Sequence, residues 1–350
     1  MATTSYGVNN ALAVKLWSKR LIREALKATF VFKFMDDSQD ALIQMKDETS
    51  KSAGDRITIG LRMQLAGDGT QGDGTLEGNE EALVTYSDNL FIDQLRHAVR
   101  SAGKMSEQRV PFSVREEALA GLRDWWAGRI DYWAANQLTG YTPTTDVRYT
   151  GLQATIAPSS GNILVQSQTA ESSLISANTM TLSMIDRAVA TAKTMTPLIR
   201  PLSVDGKPMY VAFFHPYQIY SIRTNTATGQ WQDIQKAAMM GGELDDNPIF
   251  TGALGVYNNT VIHEWFRLPA AVNAGAAIAN TKRGVFCGAQ AAAFALGQGQ
   301  DAEKPNWVEQ LFDYGNQLGV SGGMIAGLKK LQFNSADFGT IVLSSYAAAP

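Results

Sequence analysis

The chain has 350 residues, of which 45% are hydrophobic and 18% charged, with a formal net charge of −3. This balance fits one large or two smaller folded domains, and it excludes a global basic field drawing the protein to nucleic acid or membrane. The single cysteine, Cys287, excludes an intramolecular disulfide framework and fits a reducing compartment. No apolar run approaches the ~18 residues of a membrane span. Met1-Ala-Thr-Thr-Ser-Tyr6 is not followed by the apolar region of a secretory signal. The expectation is a protein made in the cytoplasm, without a membrane partner.

Residues 11–28 place Leu12, Leu16, Leu21 and Ala25 at helical spacing, ringed by Lys15, Lys19, Arg20, Arg23 and Lys27. The pattern predicts a basic amphipathic helix. It could dock on its own domain, or reach as an arm to a neighbour or a polyanion.

Residues 55–97 read as one long β-hairpin. In the rising arm, Ile57, Ile59, Leu61, Met63 and Leu65 alternate with Arg56, Thr58, Arg62 and Gln64, which gives one apolar face. The tip, Gly67 to Thr75, is rich in glycine, and Leu83 and Tyr86 lie on the return. A two-stranded ribbon is marginal alone in water. It needs a covering surface, from its own chain or from another copy.

Residues 113–139 form the clearest predicted helix. Ser113 and Glu116 have the spacing of a capping box, and Gly140 stands where a C-terminal cap belongs. At 1.5 Å per residue the helix would be about 40 Å long. Trp125, Trp126 and Trp133 read as core. Residues 141–175 turn polar and read as loop or insertion. Thr181 precedes a helix over 182–194. Residues 208–214 predict a buried strand, with His215-Pro216 opening a short helix. Further strands are expected near 260–264, over 283–290, and within 329–333 and 338–343. Strands and helices mix without βαβ alternation, so the class is α+β.

Candidate chemistry is sparse. His263-Glu264 begins like a zinc-protease motif, but Arg267 occupies the second histidine's place. His215 reads as a cap, His97 as part of a surface charge cluster, and Cys287 as a buried thiol. The glycine-rich tip lacks the Lys-Ser/Thr of a phosphate loop, and Asp68, Asp73 and Glu77 lack the spacing of a calcium loop. No catalytic, cofactor-binding or metal residue is nominated.

Several phrases together resemble the tailed-bacteriophage major capsid proteins of the Hong Kong 97-like fold, in the branch found in large podophages. They are Gly69-Thr-Gln-Gly-Asp-Gly-Thr-Leu-Glu-Gly-Asn79, His97-Ala-Val-Arg-Ser-Ala-Gly-Lys-Met105, His215-Pro-Tyr217, Pro248-Ile-Phe-Thr-Gly-Ala-Leu-Gly-Val-Tyr-Asn258 and Gly284-Val-Phe-Cys-Gly-Ala-Gln-Ala291.

The resemblance implies an N-terminal arm (1–54) and an extended loop (55–104). It also implies a peripheral domain (105–197 with 326–350) built on the long spine helix, and an axial domain (198–325). The implied function is self-assembly into pentamers and hexamers of an icosahedral shell around double-stranded DNA, contacted nonspecifically. Scaffold, decoration and portal proteins are the implied partners. Ile57, Ile59, Leu61, Met63, Leu65, Leu83 and Tyr86 would contact a neighbour. Lys15, Lys19, Arg20, Arg23 and Lys27 would face a neighbour or DNA. The family's lysine–asparagine crosslink is not implied, because no lysine lies between Lys51 and Lys104. An encapsulin-like compartment and a hydrolase with dispersed catalytic residues are the alternatives.

Overall fold

The computed structural model describes residues 29–46, 55–62, 65, 67–111, 113–204, 206–225, 253–272, 280–297 and 306–350. Successive side chains of a strand point to opposite faces, so an unbroken apolar run needs cover on both sides. Residues 209–214 are such a run. They lie in a seven-stranded sheet of order β6 (Ile163–Val165), β17 (Thr340–Tyr346), β11 (Thr281–Cys287), β8 (Lys207–Phe214), β10 (Thr260–Glu264) and β9 (Ala253–Tyr257), with β7 (Leu202–Val204) also on β8.

Val211, Phe213, Val261, Val285 and Cys287 face the main core beside the long helix Val114–Thr139. Tyr210, Ala212, Phe214, Ile262 and Phe286 face the other way. There they meet the helices Leu182–Thr194 and Pro216–Thr224.

The second sheet has the order β1 (Met35–Asp36), β2 (Ile43–Lys46), β12 (Ala292–Leu296), β14 (Gln317–Lys330) and β13 (Asn306–Phe312), and β5 (Asp93–Arg100) also pairs β14. Trp126, Ile130 and Trp133 of the long helix share the main core with Phe294, Met324 and Leu328 of this sheet. Two small ribbons complete the description: β3 (Arg56–Arg62) with β4 (Thr85–Phe91), and β15 (Gln332–Phe333) with β16 (Ala336–Asp337).

The long helix ends as expected, with Gly140 left-handed at φ 59°. Ser113 stands at its N-cap without forming the side-chain bond of a capping box. A box forms instead at His215. Its Nδ1 accepts the Tyr217 N–H at 3.2 Å, and its own N–H donates to Gln218 Oε1 at 3.1 Å.

Residues 141–175 are mostly loop, as expected, and they add β6 and a short helical turn that the long helix grips. Trp133 Nε1 donates to the Arg148 carbonyl at 2.8 Å, and Asn136 Nδ2 to that of Tyr149 at 2.9 Å. The expected boundary at 325/326 falls inside β14, a single continuous strand. The final strand β17 pairs β11, so the chain's end closes the sheet of residues 202–287 and does not return to the spine helix's sheet.

Candidate assembly surfaces

The β3–β4 ribbon starts as a continuation of the core. Ile57 and Leu90 are register partners. Both are buried against Ala293 and Ala295 of β12 and against Leu331, Phe333 and Phe338. Ile59, Leu61 and Tyr86 lean, partly buried, on the same cluster. The expectation that Ile57 touches a neighbouring subunit is therefore corrected. Alternation reveals an apolar face, but the cover comes from residues remote in sequence.

Polar groups fix the same root. Lys329 of β14 pairs with Asp88, which also accepts the Gln332 N–H at 3.0 Å. Arg56 Nε donates to Asn89 Oδ1 at 2.8 Å, across the ribbon. The ribbon is shorter than the expected hairpin. Its pairing spans 56–62 with 85–91, after which the chain crosses at Ile92 into β5 of the larger sheet.

Beyond the pairing, cover ends. Leu65 is 57% exposed and Leu83 60%, and Leu76 and Val84 are exposed as well. Five acidic residues, Asp68, Asp73, Glu77, Glu80 and Glu81, lie in this stretch, and no lysine or arginine occurs from 63 to 95. Glu81 Oε2 accepts the Gly67 N–H at 2.7 Å and Glu80 Oε2 that of Gly78 at 2.8 Å, so two of the acids brace turns. Among the described residues no group of three or more His, Cys, Asp or Glu could hold a metal ion. Met63, together with Lys15, Lys19, Arg20, Arg23 and Lys27 of the basic arm, lies outside the described residues.

The histidines are dispersed. His97 stacks on Trp125 at 4.5 Å between centroids, on the surface. His263 is buried among Phe30, Phe34 and Phe213. Burial pushes the His215 imidazole down to about 4, with Lys282 adding to the effect. Cys287 is buried, and desolvation raises its thiol well above the usual range.

Sequence reasoning missed two features. One is a buried ion pair, in which Arg283 donates Nε and Nη2 to Glu171 at 2.8 and 2.7 Å. Its Nη1 reaches the carbonyls of Thr139 and Gly140 at the long helix's end, each at 3.1 Å. Glu171 sits in a stretch whose polar composition reads as loop. The other is the β13–β14 hairpin, whose only sequence signal is the turn-forming Asp313-Tyr-Gly-Asn316.

A firmly cored subunit with a ribbon pinned at its root and exposed leucines beyond it fits a protein that works by association. The comparisons agree. A family model described as phage capsid protein matches residues 4–349. The major capsid protein of Pseudomonas phage KPP25 is 30% identical over 370 residues, covering 95% of this chain and 94% of that protein. The capsid of Ralstonia phage GP4 superposes with a TM-score of 0.82 at 33% identity, covering 100% of this chain and 99% of the other. A capsid chain of cyanophage Pam1 shares the fold, with a TM-score of 0.71 at 18% identity over 100% and 95% of the two chains. The chain belongs to the phage capsid protein family. It is a major capsid protein of the Hong Kong 97-like fold, a structural component of the virion that acts as assembled copies.

Proposed function

We propose that copies of this chain form the pentamers and hexamers of an icosahedral shell enclosing the double-stranded DNA of a tailed phage, assembled in the bacterial cytoplasm. The observation that carries this reading is the division of the ribbon. Its root is closed on its own chain, while Leu65, Leu76, Leu83 and Val84 are exposed beyond it. Four exposed apolar side chains along one segment that its own ribbon leaves uncovered supply a candidate association surface.

In this reading the distal stretch lies on a neighbouring subunit, and Ile59, Leu61, Met63 and Tyr86 extend that contact from the half-covered side. Lys15, Lys19, Arg20, Arg23 and Lys27 reach a neighbour or the packaged DNA through nonspecific phosphate contacts. Scaffold, decoration and portal proteins are its partners. The peripheral unit is the six-stranded sheet with the long helix, and the axial unit is the seven-stranded sheet. The loop's grip is noncovalent in this reading, in keeping with the absence of lysine from 52–103.

The test is to express the chain, alone and with the neighbouring open reading frames, and to examine the product by size exclusion and negative-stain microscopy. Shells, hexamers or pentamers are expected, running as monomer-sized bands on denaturing gels. Deleting residues 67–79 should leave a soluble folded subunit that assembles poorly. A monodisperse monomer from the intact chain under every condition would overturn the reading.

A further inference from the structure

Trp125, Gly128, Arg129 and Tyr132 recur at the spacing of one face of the long helix, and none of them is buried. Other segments bring Tyr149, Phe266 and Arg267 to that face. The Arg129 guanidinium lies over Trp125 at 4.9 Å and over Tyr149 at 4.1 Å. That of Arg267 lies over Tyr132 at 4.5 Å and over Phe266 at 4.9 Å. The Tyr132 and Tyr149 rings meet edge to face at 6.2 Å, which joins the two halves into one surface. Gly128 makes room for it, since a Cβ there would come within 3.2 Å of Arg267 Nη2.

This mounting leaves positive charge available. A ring holds a guanidinium in place without neutralising it, and the in-plane N–H groups remain at the edge. The nearby acids have other partners. Asp131 accepts the N–H groups of Phe30 and Val31 at 3.4 and 3.3 Å and stands 3.9 Å from Arg267. Asp146 pairs with Arg148 at 2.7 Å, with Arg129 farther away, and Asp124 pairs with Arg123 at 2.9 Å. Arg129 donates to the Arg148 carbonyl at 3.3 Å and makes no ion pair among the described residues.

Two positioned charges of one sign, seated on exposed rings, fit a polyanion. Planar guanidinium forks match phosphate oxygens in pairs. The chain also joins the fold at this face, through the Phe30 and Val31 N–H groups on Asp131. The segment just before it in sequence, 15–27, holds five lysines and arginines against one acid. The loop tip has acids and no lysine or arginine from 63 to 95, so it repels the same ligand.

We infer that this face of the long helix holds the phosphate backbone of duplex DNA inside the shell. The inference rests on the shell-forming reading and adds which side of the subunit is turned inward.

Phenylglyoxal footprinting of wild-type particles, read by mass spectrometry, tests it without any variant. Arg129 and Arg267 should react in DNA-free shells and be protected in DNA-filled ones, while Arg56 on the ribbon reacts alike in both. Equal reactivity of Arg129 and Arg267 in filled and empty shells overturns the inference, and protection in both assigns the face to a neighbouring copy.

The full-length double variant Arg129→Gln, Arg267→Gln should form shells as the wild type does. Binding of its free subunits to a short DNA duplex is followed by fluorescence anisotropy over a range of NaCl concentrations. The slope of log Kd against log salt should fall by about 1.8, the share of two lost phosphate contacts. An unchanged slope, or a folded double variant that fails to assemble, overturns the inference and leaves the shell-forming reading intact. Failure of the wild-type chain to form shells at all overturns both.

Discussion

Lys329 on β14 reaches Asp88 on β4 and also donates to the Asn89 carbonyl at 2.9 Å, which ties the loop's root to the longest of the described strands. The two side chains are only 12% and 11% exposed. An ion pair so placed adds little net stability when whole, but removing one partner leaves an uncompensated buried charge.

Lys329→Met should therefore cost about 3 kcal/mol. The loss should appear first at the ribbon. Hydrogen exchange of residues 56–62 and 85–91 should accelerate before the seven-stranded sheet responds. Uniform acceleration throughout the chain would show that the pair is not a local tether.

Gly327 and Gly60 should respond oppositely to alanine. A Cβ on Gly327 would lie 2.0 Å from the Phe91 carbonyl oxygen, so the ribbon must shift off the sheet. A Cβ on Gly60 meets nothing within 4 Å. In thermal denaturation Gly327→Ala should be strongly destabilised. Gly60→Ala should gain about 0.5–1 kcal/mol from a less flexible unfolded chain. Equal effects would contradict the close crossing.

The Arg283–Glu171 pair predicts a non-additive cycle. Arg283→Met strands a buried carboxylate and two helix-end carbonyls, at a cost of about 3–5 kcal/mol. Adding Glu171→Leu should recover a large part of that loss, as measured by chemical denaturation. A double variant no better than the single one would argue that Arg283 acts only through the carbonyls of Thr139 and Gly140.

Two buried groups give opposing pH dependences. Burial raises Asp131 to about 6, although the N–H groups of Phe30 and Val31 and the charge of Arg267 pull it down. The unfolded value is about 3.9. Between those values the folded state holds more protons, so this group lowers stability as pH rises from about 4 to about 6, by up to ~3 kcal/mol. His215, lowered to about 4 by burial and then by Lys282, does the reverse. Its contribution is complete above about 6.5, the unfolded value, and is lost as pH falls toward 4. Asp131→Asn removes one side of the balance. Its stability should fall more steeply than that of the wild type between pH 6.5 and 4. Parallel denaturation curves for the two proteins across that range would refute the assignment.

Local pattern made several elements legible in the sequence. The long helix showed in its spacing and in Gly140, and β8 in its apolar run. The α+β class and the family resemblance were equally readable. The strand β14 was not, because Gly319, Gly322, Gly323 and Gly327 disguise it as loop. Three of those glycines are the places where Phe312, the Arg96 stem and the Phe91 carbonyl lie against the strand. The feature that hid the strand is thus what lets its neighbours approach. The loop's alternation was read correctly, but its cover was not, since Ala293, Ala295, Phe333 and Phe338 are brought to Ile57 only by tertiary folding.

Strand β14 is about 45 Å long at ~3.3 Å per residue. It pairs with β12, β13 and β5 and carries the lysine that tethers the loop. A tug on the ribbon from outside the subunit would thus be passed to a strand that three neighbours hold by rows of hydrogen bonds. The subunit resembles a riveted strap, in which outward pressure is borne along the length of one member and passed to the sheet at many points at once.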